Sequence, residues 1–170
     1  MFQIDTAAAA DASAIDTLLD TCFGPARHAR TAYRLRDGVA AIPELSLVAR
    51  GTGGVAASIQ LWPLQLRSGS RVHALTLLGP LVVSPAHRCE GLGSALMDEA
   101  LRRADASGAA PILLIGDAPY YARFGFDAAA TAGWVVPGPV ERDRLLLRGG
   151  AGLPGYGVLE PAGLARRLAA

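Results

Sequence analysis

Residues 87–100 read HRCEGLGSALMDEA, an arginine and two glycines set immediately ahead of a run with helical periodicity. The first turn of a helix has backbone N–H groups without carbonyl partners, and the helix dipole adds partial positive charge, so such a junction attracts anions. Gly91 and Gly93 let a ligand approach the backbone closely, and Arg88 can add a charge-assisted contact. Glu90, however, puts a carboxylate in the middle of the cradle. At about 7 Å from a phosphate charge that carboxylate costs roughly 0.6 kcal/mol at bulk dielectric and about 2 kcal/mol at an effective dielectric of 20. The backbone donors, the glycines and Arg88 are untouched, so the loop is expected to hold a phosphate more weakly rather than not at all.

Two common phosphate loops do not fit. The Walker pattern needs GxxxxGK[ST] and the chain has no lysine, while the dinucleotide pattern GxGxxG needs glycine where Leu96 stands. A second stretch able to do chemistry is LLIGDAPYYARFGF at 113–126, with adjacent phenols at Tyr120 and Tyr121. Asp117 is placed to cap a short helix, Pro119 suits its first turn, Gly125 its end, and Phe126 the return to the core. Cys22 and Cys89, the only cysteines, lie outside any CxxC or Cys/His metal spacing, so free thiols and no metal site are expected. Cys89, beside an arginine at a helix start, has the setting of an activated thiol, but no base partner is recognisable for it.

The elements that must position these residues follow from periodicity. A first strand is expected at Phe2–Thr6, then a helix capped by Asp11 or Ser13 with Ile15, Leu18, Leu19, Cys22 and Phe23 on its apolar side, ended by Gly24-Pro25. A second helical stretch runs from His28 to about Arg36, and its arginines read most simply as a solvated face. Strands at Leu45–Arg50 and Val55–Leu66 flank the hairpin turn GTGG, and RSGS leads to a third apolar strand at His73–Val83, which Ser84-Pro85 breaks. A helix at Leu92–Ser107 carries Ala95, Leu96, Met97, Ala100 and Leu101, followed by a strand at Pro111–Ile115 and a short helix near Pro119–Arg123. In the glycine- and proline-rich tail only Arg144–Arg148 and Tyr156–Glu160 read as strands. A β-meander feeding a β-α-β unit predicts an α/β protein with a mixed sheet and helices on its faces.

Length and composition narrow the function classes. The 170 residues fit one domain over 1–170, and 51% apolar with 18% charged residues is a globular composition. Sixteen arginines against fifteen acidic residues leave a net charge of +1, so no global field holds nucleic acid or an anionic membrane, and any anion must be bound locally. The start lacks a basic segment followed by an apolar core, and no run approaches the roughly 18–20 apolar residues of a membrane span, so a cytoplasmic location is expected.

The run Arg88-Cys89-Glu90-Gly91-Leu92-Gly93 matches [RQ]xxGx[GA], and the chain resembles the GCN5-related N-acetyltransferase (GNAT) superfamily, whose members bind the pyrophosphate of acyl-coenzyme A with this loop. Tyr121-Ala122-Arg123-Phe124-Gly125-Phe126 is similar to the YxxxGF-type element that follows in that family, and the stretches FGPARHARTAYRLRDG, LLGPLVVSPAHR and RLLLRGGAGLPGYGVLEP resemble its small bacterial predicted acetyltransferases. The resemblance implies a central, twisted, mostly antiparallel sheet with a splayed strand pair. It implies transfer of an acetyl group from acetyl-CoA to the amine of a small molecule, peptide or protein by direct attack on the thioester. The alternatives are a CoA-binding regulatory module without catalysis and an N-acyltransferase using longer acyl-CoA or acyl carrier protein donors. Oligomeric state stays open between monomer and homodimer.

Residue by residue, the resemblance implies donor contacts at Arg88, Cys89, Glu90, Gly91, Leu92, Gly93 and Ser94. It also implies backbone contacts from Leu81, Val82 and Val83, beyond a splay for which Gly79-Pro80 is suited because proline has no N–H and glycine permits a bulge. Tyr121 is the implied acid for the departing thiolate, with Tyr120 its rival, and pure core packing the alternative for both. Relatives often carry a glutamate on the splayed strand, but Val72–Val83 has no acidic residue, which leaves water, His73, Glu44 or Asp37 to take the amine proton. His28, Trp62 and Trp134 are candidates for an acceptor pocket, against the alternative that aromatic residues in strand-like stretches are core.

Overall fold

The computed structural model describes residues 2–163, so Met1 and residues 164–170 of the expected 1–170 domain lie outside it. The described residues divide into two compact units, residues 2–28, 41–61 and 79–108 in the first, and residues 29–40, 62–78 and 109–163 in the second. Strands β1 (Gln3–Thr6), β2 (Leu47–Gly51), β3 (Gly54–Ser68), β4 (Arg71–Val83), β5 (Ile112–Ile115), β6 (Gly133–Val135), β7 (Leu145–Arg148) and β8 (Tyr156–Pro161) join in the order β1-β2-β3-β4-β5-β7, with β8 also on β3 and β6 on β8. Pairings are mostly antiparallel; β4 with β5 and β6 with β8 are parallel. This is the mixed sheet that the sequence predicts.

In the first unit β2 has Leu47, Val48 and Ala49 fully buried, which requires cover on both faces. Val48 clusters with Val82 and with Ile15, Leu18 and Leu19 of helix α1 (Ala12–Phe23). Leu47 and Ala49 point the other way by strand alternation, and helix α3 (Leu92–Ser107) packs on β2. The α3 bounds are those predicted, set by Gly91 before it and Gly108 after it, both left-handed.

Neither expected cap of α1 acts as one. Asp11 closes a 3-10 turn at Ala9–Asp11; its carboxylate accepts the Ala8 N–H at 2.7 Å and two N–H groups of Arg50, pinning the entry of α1 to β2. Ser13 lies inside the helix, where its carbonyl accepts from the Thr17 hydroxyl. The helical stretch at 28–36 is also corrected. It is a 3-10 turn at Pro25–Ala29 and a short helix α2 (Thr31–Arg34), separated by extended Arg30. Its arginines are not all solvated. Arg27 is 3% exposed and bonds Asp16 and Asp20 of α1, and Arg36 is 9% exposed with its guanidinium 3.7 Å from the Tyr33 ring centroid and 4.5 Å from that of Trp62.

In the second unit Leu64, Leu66, Leu75, Leu77, Leu113 and Trp134 build the core with β7 and β8. Strand β6 is a further correction, absent from the sequence reading because three residues carry no measurable alternation. It holds on through parallel pairing with β8 and through buried Trp134, whose Nε1–H donates to the Pro154 carbonyl. Helix α2 is strapped to the following segment by the Thr31 hydroxyl on the Pro139 carbonyl and Arg34 on the Pro137 carbonyl.

The Arg50 guanidinium, and after it the Ala8 N–H, hold the Asp11 carboxyl below its usual range. A depressed carboxyl stabilises above its ordinary pKa and ceases to as pH falls through its native value. Asp11→Asn should therefore cost about 1–3 kcal/mol at pH 7, and urea titrations should show the difference shrinking toward the acid end.

Candidate active site

Strand β4 pairs with β5 at Thr76↔Ile112 and Leu77↔Leu113, and no further pair forms among the described residues. Strand β5 continues to Ile115 on β7, so the two partners part where β4 reaches Gly79-Pro80. Gly79 has φ +133°, the Gly79-Pro80 peptide is cis, and Pro80 has no N–H to offer. The splay expected at this position is present.

The direction of the backbone beyond it follows from one hydrogen bond. The Ser84 N–H donates to the Ala56 carbonyl of β3 at 2.8 Å. In a trans peptide N–H and C=O point oppositely, so the Val83 carbonyl faces the edge away from β3. Strand alternation turns the backbone of Leu81 the same way and that of Val82 toward β3. Of the three residues expected to contact the donor through the backbone, Leu81 and Val83 thus address the open edge. Val82 does not, and its side chain, 2% exposed, lies in the α1 cluster.

A 3-10 turn at Pro85–His87 then leads to Arg88, Cys89 and Glu90, all exposed, with Cys89 at φ +70°. Gly91 caps α3 at φ +76°, a conformation that an L side chain strains to adopt, and a Cβ there would meet nothing within 4 Å. The first α3 bond runs from the Ala95 N–H to the Gly91 carbonyl, so the N–H groups of Leu92 and Gly93 have no helical acceptor. Leu92 is 6% exposed and contributes only backbone here. Glu90 Oε1 lies 3.3 Å from His87 Nδ1, and the His87 ring meets Phe2 edge-on at 5.0 Å. The carboxylate thus has a partner of its own, which the i, i+3 spacing of 87 and 90 made readable and the sequence reading missed.

In the second unit helix α4 (Ala118–Tyr121) carries both phenols. Tyr121 lies against Gly116: a Cβ on Gly116 would collide with Tyr121 Cε2 and stand 2.8 Å from Cδ2. Tyr120 meets it edge-on at 4.9 Å, and Phe126, fully in the core, is 6.2 Å away. Burial, with Tyr120 and Asp117 adding to it against an opposing Arg144, pushes the Tyr121 phenol up to about 12. Tyr120 is instead covered by the Arg123 guanidinium at 4.3 Å and meets the Phe124 ring at a tilt of 54°. The adjacent phenols, equivalent in sequence, are physically distinct.

The other candidates disperse. Trp134 is a core residue, His28 is exposed, and Trp62 is half-buried against the core beneath Arg36. Glu44 is exposed and lines, with Thr6, Pro43, Leu45, Arg102 and Arg103, a cleft of about 640 Å³ on α3. His73 lies six residues before Gly79 on β4, roughly 20 Å along the strand. Asp37 is exposed.

An edge strand released by its neighbour, followed by a glycine turn at a helix N-terminus and later by a half-buried tyrosine in a strand-helix junction, defines an acyl-transfer fold of the kind the sequence resembles. The family model for the acetyltransferase (GNAT) domain matches residues 3–129, and the chain belongs to this family. It is 28% identical over 134 residues to an uncharacterized N-acetyltransferase, YjhQ, of Escherichia coli K12, covering 78% of this chain and 74% of that one. The GNAT family N-acetyltransferase YhbS of Escherichia coli, solved with CoA, superposes with a TM-score of 0.75 at 27% identity, over 94% of this chain and 89% of the other. A GNAT family acetyltransferase of Brucella melitensis, solved with acetyl-CoA, gives 0.68 at 27% identity, over 96% and 97%.

The Tyr121 shift has a consequence for stability. A phenol whose folded pKa exceeds the unfolded value near 10 stabilises fully below pH 10 and loses that contribution as pH rises to about 12. Unfolding free energy should fall by roughly 2 kcal/mol over that window beyond what Tyr121→Phe shows, as measured by denaturant titration in alkaline buffers.

Proposed function

We propose that this chain transfers the acetyl group of acetyl-CoA to a primary amine of a small molecule, peptide or protein, by direct attack of the amine on the thioester. The observation that carries this reading is the edge of β4 from Leu81 to Val83, beyond the last pair of β4 with β5, which leads into the glycine turn of α3. A pantetheine arm has amide groups spaced to pair with such an edge, and a pyrophosphate suits the N–H groups of Leu92 and Gly93 with Arg88 beside them. An adjoining edge N–H, such as that of Leu81, is available to the carbonyl oxygen as it gains negative charge.

When nitrogen attacks, a C–N bond forms, the C–S bond breaks, and the electron pair leaves on sulfur. Tyr121, protonated at neutral pH with a pKa near 12, is the donor to that sulfur. A thiol titrates near 8.5 on a cysteine scale, so the thiolate is the weaker base and Tyr121 helps by hydrogen bonding rather than by giving up its proton outright. No side-chain base is assigned. An acceptor present as free amine needs none for the attack, and its second proton passes to water, so kcat/KM should rise with pH along the deprotonation of the acceptor's own ammonium group.

The test is thiol release from acetyl-CoA against a panel of amines by protein shown calorimetrically to bind CoA; binding without turnover across the panel would overturn the reading. With an active acceptor, Tyr121→Phe should lower kcat on the order of tenfold to a hundredfold with little change in KM, the loss of one hydrogen bond to a charged group, while Tyr120→Phe stays near wild type.

Glu90 is about half exposed and engaged by His87, so its repulsion of a bound pyrophosphate is expected near the bulk-solvent limit. Glu90→Gln should tighten CoA about threefold at low ionic strength, and calorimetry should show the gain fading as salt is added.

A further inference from the structure

Cys22, on the last turn of α1, has a half-buried thiol that donates to the Val83 carbonyl at 3.5 Å. That carbonyl belongs to the peptide whose other end, the Ser84 N–H, is held by Ala56 of β3, so it stands on the edge of β4 that β5 has left. The sheet holds this peptide through its N–H end alone. The thiol adds a hold at the carbonyl end, while Leu18 and Leu19 of the same helix pack with Val82, the preceding residue. The carbonyl oxygen has two lone pairs, so accepting from sulfur leaves it able to accept a second N–H.

We propose that Cys22 is a positioning residue for the acyl donor: by orienting the Val83 peptide it sets the edge carbonyl to receive an amide N–H of the pantetheine arm. This rests on the donor site proposed above. It predicts a selective effect, since the contact concerns the arm and not the phosphates. A residue that merely filled space against the cluster of Ile15, Leu18, Leu19, Val48 and Val82 would act on both parts of the ligand or on neither.

The experiment uses two ligands, CoA and adenosine 3′-phosphate 5′-diphosphate, which is CoA without its arm, titrated calorimetrically into wild type, Cys22→Ser, Cys22→Val and Cys22→Ala. The apolar variants should bind CoA about two- to fivefold more weakly, the low end for one lost neutral hydrogen bond, with affinity for the armless ligand unchanged. Cys22→Ser, which keeps a donor, should bind both like wild type. Equal CoA affinity in a folded apolar variant, or parallel loss of both ligands, overturns the proposal; should one apolar variant fail to fold, the other decides. Wild-type protein that binds neither ligand would instead overturn the donor site itself.

Discussion

The arrangement depends on β4 keeping one neighbour and releasing the other. At Thr76 and Leu77 the strand pairs with β5; at Gly79-Pro80 the missing N–H and the positive φ of the glycine end that match, while β3 stays its neighbour and is still bonded at Ser84. An unpaired strand edge is a liability in a folded protein, open to pairing with any other chain. It persists here because β4 is fixed from other directions, with Val82 buried under α1 and its chain running straight into the turn that starts α3. The edge is thereby held by the protein's own contacts, so a segment pairing with it would order little further chain.

The local chemistry of the glycine turn matters more because the protein has so little charge to spare. With a net charge of +1, the anion site proposed at α3 would rest on backbone N–H groups and Arg88 rather than on a basic surface. Such a site tolerates a misplaced carboxylate better than a cluster of side chains would, since its donors are peptide groups that substitution does not remove. The pairing of Glu90 with His87 moderates the conflict further.

The legible features were those written in consecutive residues. The helix α3, its two glycine boundaries, the break at Gly79-Pro80 and the turn Tyr121-to-Phe126 all depend on local backbone preferences, which sequence states directly. What was not legible depends on partners distant in the chain. Arg27 and Arg36 look like solvated charges until Asp16, Asp20 and Trp62 are brought to them, and Asp11 looks like a helix cap until Arg50 arrives from β2. Strand β6 lacks a pattern of its own and exists because β8 offers an edge. The same reason hid the direction of Val82, which a one-residue alternation decides and composition does not.

The two tyrosines show where sequence reasoning ends and physical environment begins. Adjacent on a short helix, they differ in what their rings meet: Tyr120 has a guanidinium over its face, while Tyr121 lies on a glycine that leaves room for nothing else. Burial makes the Tyr121 phenol a poorer acid in the ordinary sense, since its proton is held until about pH 12. It also keeps the group neutral and a hydrogen-bond donor throughout the neutral range. In the role proposed for it beside a departing thiolate, that constancy and a surrounding of reduced dielectric favour the hydrogen bond. Gly116 shapes this environment, because a Cβ there would overlap the Tyr121 ring and force it to move.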